Sequence, residues 1–522
     1  MVLLLYSVPL AKKTFKSASD IDKYSLLKWR ESNSPTTTND ILKVFGMGAA
    51  LATHSRPVNG GIVLKILKKL AAVAAAMVAV AAAGCGSEIS EKTDMPARVS
   101  TAESSGESRA NETMPDSSAP EVSAVTEMTS SAEGAVTPAS DSSSADSSSS
   151  DTDSNSDEKS DSGITTEKKV LSAVNDTPNR VTLVCVGDNL IHDNIYNEAW
   201  KRGGDHYDFF PVYEHTEKYF KDADLKILNQ ETLVTDKYGP SSFPCFATPT
   251  ADGDCVVDKL GVNVISMSNN HVLDMGADGL ISSLDYWDSK PVVHYGAYRN
   301  DKDSRTIRTT EINGITFAFL GYMEHTNGFF LDPDADNGKV VYLNELDRIE
   351  EEIKAADKAA DVVVVSAHFG TEVLNAINDQ QATLAPKFVE WGADLIIGTQ
   401  AHACSTCGYI DKPDGGQAFC YYGLGNFVST MYYPNSPIGI LGKMNVVKDP
   451  TSGKVTFENV KAIPLVQHYE ADSFYSDWYN CATYPYAEYT DELFARNYSD
   501  GFNRQEAENC LSYIPQEFLS IE

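Results

Sequence analysis

Asp188 and His192 stand four residues apart. A carboxylate and an imidazole so close in the chain are donor types that bind a divalent cation of borderline hardness. The same chemistry recurs downstream: Asn229 with Glu231; Asn269, Asn270 and His271 with Asp274; His368 with Glu372; and Gln400 with His402. Carboxylate, imidazole and amide oxygen together suit Mn²⁺, Zn²⁺ or Fe, and two such ions about 3.5–4 Å apart can activate a water and clamp an oxyanion. A single His or Asn of this kind is ordinarily a turn residue or a satisfied core group. Their common setting argues otherwise, because each group closes a run of β-branched and apolar residues.

Those runs are Val181 to Asp188, Leu225 to Glu231, Val262 to His271, Thr316 to Tyr322, Val362 to Gly370 and Asp394 to His402. Their composition reads as buried strands. Stretches with helical spacing lie between them, as from Leu343 to Ala360, where Leu346, Ile349, Ile353 and Ala356 share one face. Strands alternating with helices imply an α/β domain with a largely parallel sheet, whose chemistry gathers at the carboxyl ends of the strands. Asn426, after the turn-forming Gly423-Leu424-Gly425, is expected to reach the same crevice.

The rest of the 522-residue chain differs in kind, with 42 Lys and Arg against 74 Asp and Glu for a net charge of −32. That balance argues against a nucleic-acid partner, which requires a basic face. Residues 1–60 form a poorly defined extension, read as a start placed too far upstream of Met47 or of Lys65. Residues 61–85 read as a secretory leader: Lys65, Lys68 and Lys69, an uncharged stretch from Leu70 to Gly84, then Ala82-Ala83-Gly84-Cys85. The ending resembles a lipobox, so Cys85 is the expected lipidation site, with ordinary cleavage or an uncleaved anchor as the alternatives. Each places the remainder outside the cytoplasm, and the lipid version anchors it to the membrane. Residues 86–178 are acidic, rich in Ser and Thr, and contain no aromatic residue. Such a segment cannot bury enough apolar surface to offset its chain entropy and reads as a disordered tether. The main domain is expected over 179–470, with 471–522 packed on it. Cys404 and Cys407 form a C-x-x-C beside His402, read as a local disulfide or free thiols, and Cys185 as a buried small hydrophobe.

The ordered motifs Gly187-Asp188-Asn189-Leu190-Ile191-His192, Asn229-Gln230-Glu231-Thr232, Ser268-Asn269-Asn270-His271-Val272-Leu273-Asp274, His368-Phe369-Gly370-Thr371-Glu372 and Gly423-Leu424-Gly425-Asn426-Phe427 resemble those of the CapA-type poly-γ-glutamate capsule biosynthesis family. That family is similar to calcineurin-like metallophosphoesterases. The resemblance implies a sandwich of two β-sheets flanked by helices, carrying one or two divalent ions. It places Asp188, His192, Glu231, Asn270, His368 and His402 as metal ligands. His271, with Asp274 and Glu372, falls in the catalytic positions, and Asn229, Asn269, Gln400 and Asn426 contact substrate. One departure stands out: Gly398-Thr399-Gln400-Ala401-His402 carries an amide where the family has an imidazole. An amide is a weaker ligand for these metals, which leaves a single ion or an empty polar pocket open.

Three functions follow from these readings. The first is a membrane-tethered, extracytoplasmic protein of capsule, poly-γ-glutamate or related surface-polymer biosynthesis. Its expected company is an anionic polymer or its precursor and a capsule synthesis complex. The second is a metal-dependent hydrolase of phosphoester or amide bonds. The third is a non-catalytic polymer- or solute-binding lipoprotein with a degenerate site.

Overall fold

The computed structural model describes residues 163–522. The N-terminal extension, the leader with Cys85 and the tether up to residue 162 lie outside the described residues. Odd and even positions along the central strands bury against different partners. Leu183 and Cys185 pack with Phe317, Phe319, Val362 and Val364 in one core, while Val184 and Val186 face helices in a second core. Val363 and Val365 turn to a third core under another pair of helices. The period of two puts one sheet face against its partner sheet and the other against helices. Four layers result: helices, sheet, sheet, helices. This is the expected sandwich of two sheets flanked by helices.

The first sheet has seven strands in the spatial order Thr165–Lys168, Thr306–Ile312, Ile315–Met323, Val362–Phe369, Leu395–Gln400, Gln417–Tyr421 and Cys407–Asp411. The second has eight. Its path runs Trp478–Pro485, Val455–Ala471, Ile438–Lys448, Arg180–Asn189, Leu225–Gln230, Val264–Ser266 and Val293–Tyr295, with Asn426–Val428 added on Arg180–Asn189. The pairs 180–189 with 225–230 and 362–369 with 395–400 are parallel, so their carboxyl ends open on the same side of each sheet. Helices Gly276–Asp288 and Thr250–Asp258 back the second sheet. Leu346–Ala359 and Asp379–Trp391 back the first, and Ile349, Ile353 and Ala356 are fully buried there. Each such side chain contributes about 1.5–3 kcal/mol on burial, the alanine less.

Two boundaries differ from those read in the sequence. The stretch 86–178 does not stay a tether to its end, because Thr165–Lys168 pairs in parallel with Thr306–Ile312 at the edge of the first sheet. Further on, buried Asp224 accepts hydrogen bonds from the backbone of Val174, Asn175 and Thr182 at 2.7–2.9 Å. Composition missed both features: an edge strand with all four side chains exposed needs no hydrophobic signature, and Asp224 supplies the ordering from outside the segment. Residues 471–522, in turn, do more than pack on the domain. Trp478–Pro485 hydrogen-bonds into the second sheet, and Phe494, Phe502, Cys510 and Leu511 fill the core between the sheets.

Candidate metal centre

Gly187 creates the first feature of the site. Strand pairing shifts register between Val186 and Asp188, a bulge that re-aims the following side chain. A Cβ at Gly187 would fall 1.8 Å from the Gly425 carbonyl oxygen, so only glycine permits the approach. Asp188 and Asn189 then face opposite ways, as do Gln230 and Glu231 on the neighbouring strand. Asn189 Nδ2 donates to Gln230 Oε1 (2.9 Å) and Asp252 Oδ2 (3.1 Å) on the helix side. Asp188 instead meets Asn229 and His402.

The loop after Leu395–Gln400 supplies the opposing wall. Gln400 (φ +92°) and His402 (φ +53°) both have left-handed backbone. Such conformations cost a non-glycine residue about 1 kcal/mol or more and cluster at functional sites. Asn426 fixes the ring of His402: its Oδ1 lies 3.0 Å from His402 Nδ1, and its Nδ2 donates to the His402 and Ser436 carbonyls.

Donor atoms of Asp188, Glu231 and His402 lie within 4.8 Å of one another, and all three residues are buried. His402 Nδ1 is 3.2 Å from Asp188 Oδ2, and its Nε2 is 3.6 Å from Glu231 Oε1. Asn229 Nδ2 donates to Asp188 Oδ1 at 2.7 Å. Beside this group, His368 Nε2 is 3.0 Å from Asn270 Oδ1 and 3.6 Å from Glu231 Oε1, and Thr399 holds its Nδ1 at 2.8 Å. Both Glu231 oxygens are buried without a hydrogen-bond partner, and Asp188 Oδ2 meets the His402 ring at 3.2 Å. Buried carboxylate oxygens left this way cost several kcal/mol unless a proton or cation meets them. This donor set fits a divalent cation of the Mn²⁺ or Zn²⁺ kind.

The titration behaviour agrees. Burial and the Asp188 charge push Glu231 well above the ordinary carboxylate value. Burial would raise Asp188 too, but hydrogen bonding and charge from His402 hold it below its usual value. For His402, burial opposes the charge, yet Glu231 and Asp188 lift it to about 10. Burial lowers His192 and His368 to about 3 each, keeping both rings neutral and able to donate a lone pair. The pocket thus demands positive charge between its two carboxylates.

The remaining expected residues divide by what their atoms touch. His192, expected as a ligand, stands outside the Asp188–Glu231–His402 group; its Nδ1 is 3.0 Å from the Leu190 carbonyl and its ring is edge-on to Phe246. His271 Nδ1 is 2.7 Å from Asp274 Oδ2, which makes Asp274 an orienting partner for that ring. Glu372 is exposed at the rim, 3.4 Å from Gln400 Nε2. Asn229 Oδ1 and Gln400 Oε1 are buried acceptors with no partner and stay available to a ligand. Asn269 does not: its two ends hold the Gln230 carbonyl and the His271 N–H. Asn426 is likewise engaged, clamping His402. Cys404 and Cys407 are free thiols.

Sequence reading missed Thr399, Asn327 and Phe246. Asn327 contacts Asn270 and His271 at 3.3 Å each, and Phe246 packs edge-on to His271 with centroids 4.7 Å apart. The Asn327-Gly328 pair is a turn signal; nothing in sequence marked Phe246.

Residues 182–431 match the family described as bacterial capsule synthesis protein PGA_cap. Among curated proteins, the capsule biosynthesis protein CapA of Bacillus anthracis is 27% identical over 264 residues, 48% of this chain and 60% of that protein. The PGA biosynthesis protein CapA of Bacillus subtilis is 27% identical over 246 residues, 47% of this chain and 62% of its own length. The match therefore spans about 60% of either relative. Among solved structures, a novel phosphatase from Mycoplasma pneumoniae aligns over 56% of this chain and 95% of its own, at 16% identity and a TM-score of 0.34. A 5'-nucleotidase from Candida albicans aligns over 56% and 53%, at 13% identity and a TM-score of 0.29.

Proposed function

From the premise that residues 182–431 belong to the CapA-type bacterial capsule synthesis family, we propose that this protein serves capsule or related surface-polymer biosynthesis through a divalent-cation centre at Asp188, Glu231 and His402. The observation that carries the centre is Glu231, fully buried with both carboxylate oxygens unpartnered between two imidazoles. Asn270, His368 and Gln400 extend the donor set toward a second ion. With an amide at Gln400 in place of an imidazole, the Asp188 side is the stronger position. A bound cation would supply Lewis-acid charge to a phosphoryl or carbonyl oxygen of the polymer or its precursor.

The chain's own residues would do the rest. Asp274 Oδ2 would accept the hydrogen bond of the His271 Nδ1–H and orient the ring, leaving Nε2 to hold or pass a proton at a leaving group. Phe246 packs edge-on against both His271 and His192 and shields them from bulk water. Asn229 Oδ1 and Gln400 Oε1 accept hydrogen bonds from the bound substrate. The leader and Cys85 would place this site outside the cytoplasm on a membrane tether, in the company of a capsule synthesis complex.

Calorimetric titration with Mn²⁺ and Zn²⁺, with turnover of a generic phosphodiester and a γ-glutamyl amide, tests the proposal. Micromolar metal binding that Glu231→Gln abolishes is the expected result. No binding at millimolar metal would replace it with the non-catalytic polymer-binding reading.

A further inference from the structure

The geometry points to an amphiphile as the ligand of this centre: one anionic head that enters beside Glu231 and a hydrocarbon tail that lies across an apolar collar at the mouth. This rests on the cation-centre reading above and names its substrate class. Six large apolar or aromatic side chains on loops that reach the site are left in solvent: Phe330 (80% exposed), Phe243 (78%), Leu374 (52%), Tyr433 (49%), Phe329 (39%) and Ile377 (37%). Surface apolar groups scattered singly are ordinary, whereas several carried on loops that converge on one centre offer a binding surface.

Hydrogen bonds tie the loops that carry them to the centre. Phe243 precedes Phe246, whose N–H donates to Asp274 Oδ2 at 2.7 Å. Phe329 and Phe330 follow Asn327, which contacts His271, and Thr326 closes that turn onto Phe329. Leu374 and Ile377 follow Val373, whose N–H donates to the Ala401 carbonyl at 2.7 Å, next to His402. Asn435, two residues from Tyr433, donates to the Val373 carbonyl at 2.8 Å. From the same loop the Thr430 N–H reaches His192 Nδ1 at 3.4 Å.

Charge selects the occupant. Residues 188–193, 229–235, 239–249, 268–276, 323–331, 368–378, 398–406 and 423–436, the segments that build the centre and its rim, contain no Lys or Arg. A long polyanion would find no row of cations there, in a chain whose net charge is −32. The bound metal offers charge for one anionic group, and the rest of the grip is apolar. An anionic head on a hydrocarbon tail, as in a lipid-linked precursor, meets both conditions.

The full chain loaded with Mn²⁺ is titrated with inorganic phosphate, ethyl phosphate and octyl phosphate, the last below its micelle concentration, and with a γ-glutamyl oligomer. Octyl phosphate is expected to bind about 30-fold tighter than ethyl phosphate, given about fourfold per fully buried methylene and partial cover on an open rim. The double variant Phe243→Ser/Phe330→Ser loses most of that gain and keeps its affinity for inorganic phosphate. Equal affinity along the alkyl series with phosphate still bound, a gain that survives the double substitution, or tighter binding of the γ-glutamyl oligomer would each overturn the amphiphile. Failure of phosphate to bind the metal-loaded chain would instead overturn the cation centre and, with it, the placement of the head.

Discussion

Two buried polar clusters grow from the same pair of strands and differ in one respect. On the helix side, Asn189 and Gln230 join Asp252 and Tyr213; the tyrosine hydroxyl donates to Asp252 Oδ1 at 2.5 Å, and Asn189 Nδ2 serves Oδ2. Both Asp252 oxygens are thereby satisfied by neutral donors. On the other side, one residue along each strand, Glu231 keeps both buried oxygens without partners and Asp188 Oδ2 faces the His402 ring. A satisfied polar network rigidifies the fold, whereas an unsatisfied one raises its energy until a ligand arrives. The first cluster reads as scaffold and the second as a site, and substitutions can separate them.

The largest effect is expected on metal affinity. Asp188→Asn and Glu231→Gln should each weaken Mn²⁺ binding by more than about 100-fold, since they remove ligands and even outer-shell changes cost about 10–100-fold. In EDTA their thermal melting points should equal or exceed that of the parent, because an uncompensated buried carboxylate is gone; a melting point lowered by several degrees would make this cluster scaffold too.

Asp252→Ala should do the reverse, lowering unfolding free energy by about 2–4 kcal/mol in a denaturant titration. It strands the Tyr213 hydroxyl and the Asn189 amide in the interior. Tyr213→Phe should cost about 1–2 kcal/mol and leave Mn²⁺ affinity within about threefold, as expected of a group that never touches the ion. Asn426→Ala lies between the classes, with a loss of about tenfold in Mn²⁺ affinity as His402 loses its clamp.

The smallest effect is a pH dependence. Burial raises the Asp252 carboxyl to about 7, against hydrogen bonds from Tyr213 and Asn189 that lower it. The folded chain then holds a proton that the unfolded chain releases near the ordinary carboxylate value of 3.8. Between these values the folded state binds more protons, so this group's contribution to stability falls as pH rises from about 4 to 7. Comparing Asp252→Asn with the parent across that range isolates the term: the parent should lose stability relative to the variant as pH rises, and parallel curves would show that Asp252 is ionised throughout.

Much of the site was legible because strand-end chemistry is local. Asp188, Glu231, His368 and His402 each follow an apolar run, and the fold brings those runs into neighbouring parallel strands. Less legible were groups whose role depends on a partner far away in the chain. The amides of Asn269 and Asn426 hold the backbone and the His402 ring, partners that their own motifs do not mark. Phe246 and Asn327 carried no spacing signal, since each reaches His271 from a loop. The edge strand Thr165–Lys168 escaped for a related reason: its register comes from Thr306–Ile312 and its exposed side chains encode nothing.

The amino-acid order alone determined the donor types and the alternation that buries one face of each strand, because these depend on side-chain chemistry and short-range periodicity. The folded arrangement decided which donors meet and which are spent. A bulge at Gly187 and left-handed backbone at Gln400 and His402 turn particular side chains inward by a few ångströms. Whether a buried oxygen is satisfied depends on such displacements, and no local pattern records them.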